Sequence, residues 1–177
     1  HRSPDGDAMG STLALYHFLL KLNHQAVVIA PNDFPNFLAW LPGSETVLIY
    51  ENDKPNCAKI IQEAEIVFTL DFNALPRTGE MEQVLNKVTV PMIMIDHHQK
   101  PDNYATYTYS DTIFGSTCEM IYNFITFLGN KNLIDKTIAT CLYTGITTDS
   151  GSFRFPSTTG TTHRIVADLI DLGIENS

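Results

Sequence analysis

The sequence predicts an α/β protein built on a mainly parallel β-sheet with helices on both faces. Apolar runs of strand length alternate along the chain with segments of helical periodicity, which is the order of βαβ units. The runs at residues 66–70 and 92–95 read as apolar, as strands covered on both faces do. Each is closed by an aspartate, Asp71 and Asp96, and ligands of open parallel sheets sit beyond the carboxyl ends of the strands. The architecture these features imply is Rossmann-like.

Residues 8–22 place Leu13, Tyr16 and Leu20, with Leu15 and Leu19 beside them, at helical spacing. Residues 26–30 and 46–50 read as short strands, separated by a loop-rich stretch holding Pro31, Pro35, Pro42 and Gly43. A helix is expected over 55–65, a strand over 66–71, a helix over 79–87 and a strand over Met92–Asp96. Residues 104–109 alternate at period two and suit a further strand. Residues 116–128, 133–147 and 161–172 read as helices. The chain contains neither an internal repeat nor a low-complexity segment.

At 177 residues, 44% of them hydrophobic, the chain fits one domain over 1–177 with a proper core. A charged fraction of 18% excludes a disordered tail or a coiled coil. The net charge of −9 argues against a broad basic face for long duplex nucleic acid. An anionic substrate stays open, because divalent cations held by aspartates reverse the local sign. Cys57, Cys118 and Cys141 are widely spaced and form no paired motif. They read as core thiols of a reducing compartment, so the cytoplasm is the expected location. No apolar run approaches the roughly 20 residues of a membrane span. The chain begins at His1 inside a motif, so a strand expected before it is missing from the sequence. The last residues, 173–177, stop without a closing element.

The chemistry is concentrated in four segments. His1, Asp5 and Asp7 open the chain at short spacings, Asp71 ends the 66–70 run, Asp96-His97-His98 ends the next strand, and Asp149 closes a later segment. Read singly, the aspartates are turn, loop or helix-end residues. Read together, His1, Asp5, Asp7, Asp71, His97 and Asp149 are four carboxylates and two imidazoles that would repel in one cleft unless cations neutralised them. A binuclear pair does so, and a carboxylate such as Asp71 is able to bridge ions roughly 3.5–4 Å apart. Oxygen-rich ligands with a few imidazoles favour two Mn²⁺, with Mg²⁺ or Co²⁺ as substitutes, and the lack of a spaced thiolate weighs against zinc. If His97 ligates, the adjacent His98 points elsewhere and can face substrate as a catalytic group. Asp96 then either orients an imidazole from behind or caps the strand. Ser116 and Thr117 open a helix whose free N–H groups suit an anion, while Ser116 and Glu119 equally match a plain capping box. Arg154 could clamp a phosphate, and Phe153 or Phe155 could stack on a base or pack in the core. His17, His24 and His163 have no partners in the sequence.

These segments, HRSPDGDAMGS, Asp71, DHH at 96–98 and TTDSGSFRF around Asp149, resemble the four motifs of the DHH phosphoesterase superfamily in order and spacing. With GSTCEMIY and the longer TDSGSFRFPSTT, the pattern is most similar to the NrnA-type branch, nanoRNases and 3′-phosphoadenosine 5′-phosphate (pAp) phosphatases. Some relatives in that branch cleave cyclic-di-AMP or its linear product pApA. The resemblance implies one Mn²⁺ on His1, Asp5 and Asp71 and a second on Asp7, Asp71, His97 and Asp149. It also implies a substrate contact by His98 near the scissile phosphate. It further implies a second domain, DHHA1, with a glycine-rich GGGH-like motif, which this chain does not contain.

The function expected is hydrolysis of short oligoribonucleotides, pAp or pApA and cyclic-dinucleotide products by a two-metal-activated water. A RecJ-like single-strand exonuclease shares the chemistry, but the low basic content speaks against long single strands. Inorganic pyrophosphatase and exopolyphosphatase share the metal scheme and fit the Phe-rich GSFRF segment less well. A metal-dependent nucleotide-binding module without turnover is the non-enzymatic reading. Short RNA or a nucleotide is the expected partner, with no membrane, and a homodimer is compatible with the family.

Overall fold

Sequence-distant aspartates can meet only if the strands they follow run side by side, and they do. The computed structural model describes residues 1–175, so the end of the predicted 1–177 span, including the last two residues of the chain, lies outside the described residues. β3 (Val67–Leu70), β4 (Met92–Asp96) and β5 (Tyr107–Ser110) form a three-stranded parallel sheet in that order. β1 (Ile29–Ala30) and β2 (Leu48–Ile49) pair in a separate, two-stranded parallel sheet. All pairings among the described residues are parallel, as expected, but they are divided between two sheets. The register sets Leu70 opposite Ile95, and the Asp71 N–H extends the ladder to the Ile95 carbonyl at 3.1 Å. Asp71 and Asp96 therefore share one edge.

Both faces of the larger sheet are covered. Phe68, Leu70, Ile93, Ile95 and Tyr109 point into the main core with α1 (Gly6–Lys21), α4 (Thr117–Phe127), α5 (Lys136–Asp149) and α6 (Gly160–Asp171). Val67 and Met92 alternate to the opposite face, where α2 (Lys54–Glu63) and α3 (Glu82–Leu85) close a smaller core around Cys57, Ile61 and Leu85. All three cysteines are free and buried, as the core-thiol reading expects. No helix of the described residues is long and apolar enough to cross a membrane.

Caps set most helix starts. Asp5 accepts from the N–H groups of Asp7 and Ala8, Asp53 from Asn56, Ser116 from Glu119 and Asp135 from Ile138. Thr159 and Thr162 form a reciprocal box at the start of α6.

Several expected boundaries move for local reasons. The helix expected over 79–87 is a 3-10 segment, Leu75–Met81, followed by the four-residue α3, because Gly79 adopts a left-handed φ of 63° in its midst. The helix expected from 133 starts at Lys136, after a 3-10 turn, and runs on through Asp149. Asp149 is thus the last residue of a helix. The strand expected over 104–109 is Tyr107–Ser110. The Thr106 hydroxyl accepts from the Met92 N–H, and the Tyr104 hydroxyl bonds Thr69 on β3, at the far side of β4.

The crossing of α1 and α5 decides where Asp7 and Asp149 sit. It is close because two glycines lie in it. A Cβ on Gly10 would stand 2.5 Å from the Cys141 carbonyl, and one on Gly145 would stand 2.2 Å from Cys118 Sγ and 2.9 Å from Asp7 Oδ1. Gly10→Ala should destabilise the protein by about 1–3 kcal/mol, the usual cost of overpacking. Urea denaturation should show the loss, while Gly160→Ala, with its nearest contact at 3.4 Å, should change the midpoint little.

Candidate metal centre

The residues singled out from the four segments converge at the carboxyl edge of the β3–β4 pair. His1 and Asp5 lead into α1, and Asp7 lies in its first turn, 1% exposed. Asp71 follows β3 in the left-handed region, φ 61°, which aspartate tolerates better than bulkier residues do. His97 and His98 follow β4, and Asp149 ends α5.

Asp71 stands between two groups of donors. Its Oδ2 lies 3.3 Å from His1 Nε2, which is also 3.7 Å from Asp5 Oδ2. Its Oδ1 lies 3.7 Å from His97 Nε2. That nitrogen is in turn 3.8 Å from Asp7 Oδ2 and 3.3 Å from Asp149 Oδ2. Three sets of donor atoms, those of His1, Asp5 and Asp71, of Asp7, His97 and Asp149, and of Asp71, His97 and His98, each lie within 4.8 Å of one another, a spacing able to hold an ion. Ring orientation suits this. His1 Nδ1 donates to its neighbour's carbonyl on Arg2 at 2.8 Å, and His97 Nδ1 to the Phe114 carbonyl at 3.3 Å. Both arrangements direct Nε2 at the carboxylates. Asp96, fully buried, accepts from His98 Nδ1 at 2.8 Å and from the His98 N–H at 2.9 Å. It orients the imidazole beside the cluster and so combines the two roles the sequence left open.

The anion at the start of α4 is the chain's own. Asp7 Oδ2 accepts from the Thr117 N–H at 2.6 Å and Oδ1 from the Cys118 N–H at 2.9 Å, while the Thr117 hydroxyl donates to Asp71 Oδ1 at 2.9 Å. The sequence leaves Ser116 and Thr117 open between a seat for a substrate anion and a plain helix cap. Both are buried, Ser116 caps its helix through Glu119, and Thr117 serves two aspartates. Both donors of Thr117 are therefore occupied inside the protein, and the Ser116 hydroxyl accepts from the Glu119 N–H. Arg154 is exposed and bonds the Gly151 carbonyl through Nε. It rides on a left-handed turn, Gly151, Ser152 and Phe153, and Phe153 packs between Tyr143 and His163, at centroid distances of 6.3 and 5.7 Å. Sequence reading missed Arg77. Its carbonyl accepts from the N–H of Arg2, and its charge acts on His98.

Burial and repulsion shape the titration. Burial, then the charges of Asp71 and Asp149, push the Asp7 carboxyl well above the usual range, against the Cys118 N–H. Burial raises Asp149 to about 6, with His97 opposing and Asp71 adding. His98 is raised by its bond to Asp96, against burial, and Arg77 opposes the shift. His1 is raised by its bond to Asp71. Asp71 itself is buried, which would raise it, but His1, His97 and His98 together hold it below its ordinary value. A cluster whose carboxylates need counter-charge, with oxygens and imidazole nitrogens converging, fits hard divalent cations.

Carboxylates and imidazoles gathered at the strand ends of an α/β domain form a site able to hold metal ions. Residues 1–146 match the DHH family, N-terminal domain, and the chain belongs to that family. Within it, the chain is 34% identical over 175 residues to the bifunctional oligoribonuclease and PAP phosphatase NrnA of Thermus thermophilus, covering 99% of this chain and 49% of that protein. It is 27% identical to the protein of the same name from Bacillus subtilis, over all of this chain and 53% of that one. An exopolyphosphatase-related protein from Bacteroides fragilis, known from its crystal structure, superposes with a TM-score of 0.96 at 41% identity, over 98% of this chain and 51% of that one. The chain spans about half the length of these relatives.

The raised groups set a sign for stability. Asp149, Asp7, His1 and His98 bind protons more tightly folded than unfolded, so their contribution is full below their unfolded values and is lost as pH rises through the folded ones. Cation-free protein should therefore melt at a lower temperature near pH 8 than near pH 5, and saturating Mn²⁺ should flatten or reverse the trend. Calorimetry with and without EDTA reads both; a cation-free Tm that rises over this window would contradict the proton balance.

Proposed function

We propose that this chain is the catalytic part of a divalent-cation-dependent phosphoesterase. Its substrates in this reading are short oligoribonucleotides, pAp, or pApA and related cyclic-dinucleotide products. The observation that carries the reading is Asp71, with one oxygen 3.3 Å from His1 Nε2 and the other 3.7 Å from His97 Nε2, set between two groups of oxygen and imidazole donors. The names of the Thermus and Bacillus relatives support the substrate class.

In this reading His1, Asp5 and Asp71 hold one ion and Asp7, Asp71, His97 and Asp149 a second, with Mn²⁺ preferred and Mg²⁺ or Co²⁺ as substitutes. When bound, such a pair neutralises the cradle, acidifies a water and draws charge from phosphoryl oxygens. The chain's own residues do the rest. His97 keeps its Nε2 lone pair toward the cradle because its Nδ1 proton is held by the Phe114 carbonyl. His98 is anchored through Nδ1 on Asp96, which leaves Nε2 free to carry a proton to the phosphate or to the leaving oxygen. The raised pKa of His98 keeps that proton in place toward neutral pH. Asp96 is the positioning residue for this imidazole, and the exposed Arg154 offers a guanidinium to a substrate phosphate.

The test is release of phosphate or mononucleotide from pAp, pApA and a short RNA, with Mn²⁺ and with EDTA. Manganese-dependent release is expected, and none from any of the three with ion bound would overturn the reading. Asp71→Ala should abolish turnover; near-normal activity would rule out the bridging role. His98→Ala should lower kcat by about 10²–10⁴ while Mn²⁺ binding is retained, as removal of a general acid does. Loss of Mn²⁺ from that variant would mean that His98, not only His97, is a ligand.

A further inference from the structure

Resting on that reading, we propose that Thr117 is a positioning residue for the cation site, fixing the rotation of the Asp71 carboxylate so that its two oxygens face different ion positions. Thr117 is fully buried and cannot touch substrate. Its hydroxyl donates to Asp71 Oδ1 at 2.9 Å, and its backbone N–H donates to Asp7 Oδ2 at 2.6 Å. One residue at the start of α4 therefore ties together two carboxylates that arrive from α1 and from the end of β3.

The remaining neighbours of Asp71 are unable to perform this task once ions are present. The contact with His1 at 3.3 Å runs through Nε2, the nitrogen that must face a cation. The contact with His97 at 3.7 Å likewise uses Nε2. His98 Nδ1 lies 3.8 Å away and is already bonded to Asp96. The Thr117 hydroxyl is the neutral donor that survives the exchange of protons for cations. It holds Oδ1 on the side of Asp7, His97 and Asp149 and thereby leaves Oδ2 to His1 and Asp5. Partners of this kind, which orient a ligand without touching the ion, typically change metal affinity or activity by about 10–100-fold when removed.

Substitution separates this role from packing. Thr117→Val removes the hydroxyl, keeps the side-chain shape and leaves the N–H bond to Asp7 in place; Thr117→Ser restores the hydroxyl without the methyl. Calorimetric titration of EDTA-stripped protein with Mn²⁺ should show affinity about 10–100-fold weaker for Thr117→Val and about that of the parent for Thr117→Ser. Thr117→Ala, also lacking the hydroxyl, should show the same loss as Thr117→Val and serves if the valine variant does not fold. Parent-like affinity in Thr117→Val or Thr117→Ala, or equal weakening in Thr117→Val and Thr117→Ser, would overturn the proposal. A parent protein that binds Mn²⁺ and hydrolyses none of the nucleotide substrates would instead overturn the proposed function and leave the positioning role standing. A parent that takes up no Mn²⁺ would end both.

Discussion

Two carboxylates, Asp7 and Asp71, are almost completely buried within one cradle, with no lysine or arginine paired to either among the described residues. Taking an ion out of water costs several kcal/mol unless opposite charge or donors replace the lost solvation. The protein meets that cost from three sides. The start of α4 supplies two backbone N–H groups and a hydroxyl, and the helix dipole there favours negative charge. His1, His97 and His98 rim the cradle, and the remaining demand suits a divalent cation. The approach of α1, β3 and α4 to one another follows from that requirement.

Residues at this edge serve local structure and the cradle together. Asp5 caps α1 through Oδ1 while its Oδ2 turns toward His1. Asp96 is paired within β4 and holds His98 with both side-chain oxygens. Asp149 is the final residue of α5, and the close crossing of α1 and α5 at Gly10 and Gly145 carries it to His97. Beyond Asp149 the chain makes a left-handed turn with two non-glycine residues, Ser152 and Phe153. Such a conformation costs of order 1–3 kcal/mol per residue and persists only where the surroundings over-determine it. Here the Ser150 carbonyl accepts from the N–H groups of Arg154 and Phe155, and Phe153 is packed between two aromatic rings.

Much of this was legible in the sequence. The strand Met92–Asp96 was read with its observed ends, since a short apolar run closed by Asp-His-His leaves little choice. The parallel pairing followed from the alternation of strands and helices. The weaker elements were not legible to the residue. The first two strands shrink to two residues each, and the helix expected over 79–87 is cut to Glu82–Leu85, with Gly79 left-handed at its expected start. Tyr104 alternates correctly for a strand, yet its hydroxyl is drawn to Thr69 and the pairing starts later.

The sequence by itself determined where Asp71, His97 and His98 lie, because polar residues closing apolar strands of a parallel sheet gather at its carboxyl edge, whereas His1, Asp5, Asp7 and Asp149 reach that edge from helix ends. Only the tertiary structure decided what the start of α4 binds. From the local pattern, Ser116 and Thr117 were equally a helix cap and a seat for a substrate anion. The anion there is Asp7, 110 residues away in the chain from Thr117. Periodicity and capping rules reach across a few residues, whereas this bond depends on how three elements pack. That is why the cradle's candidate residues were readable one segment at a time, and the donors that hold them in place were not.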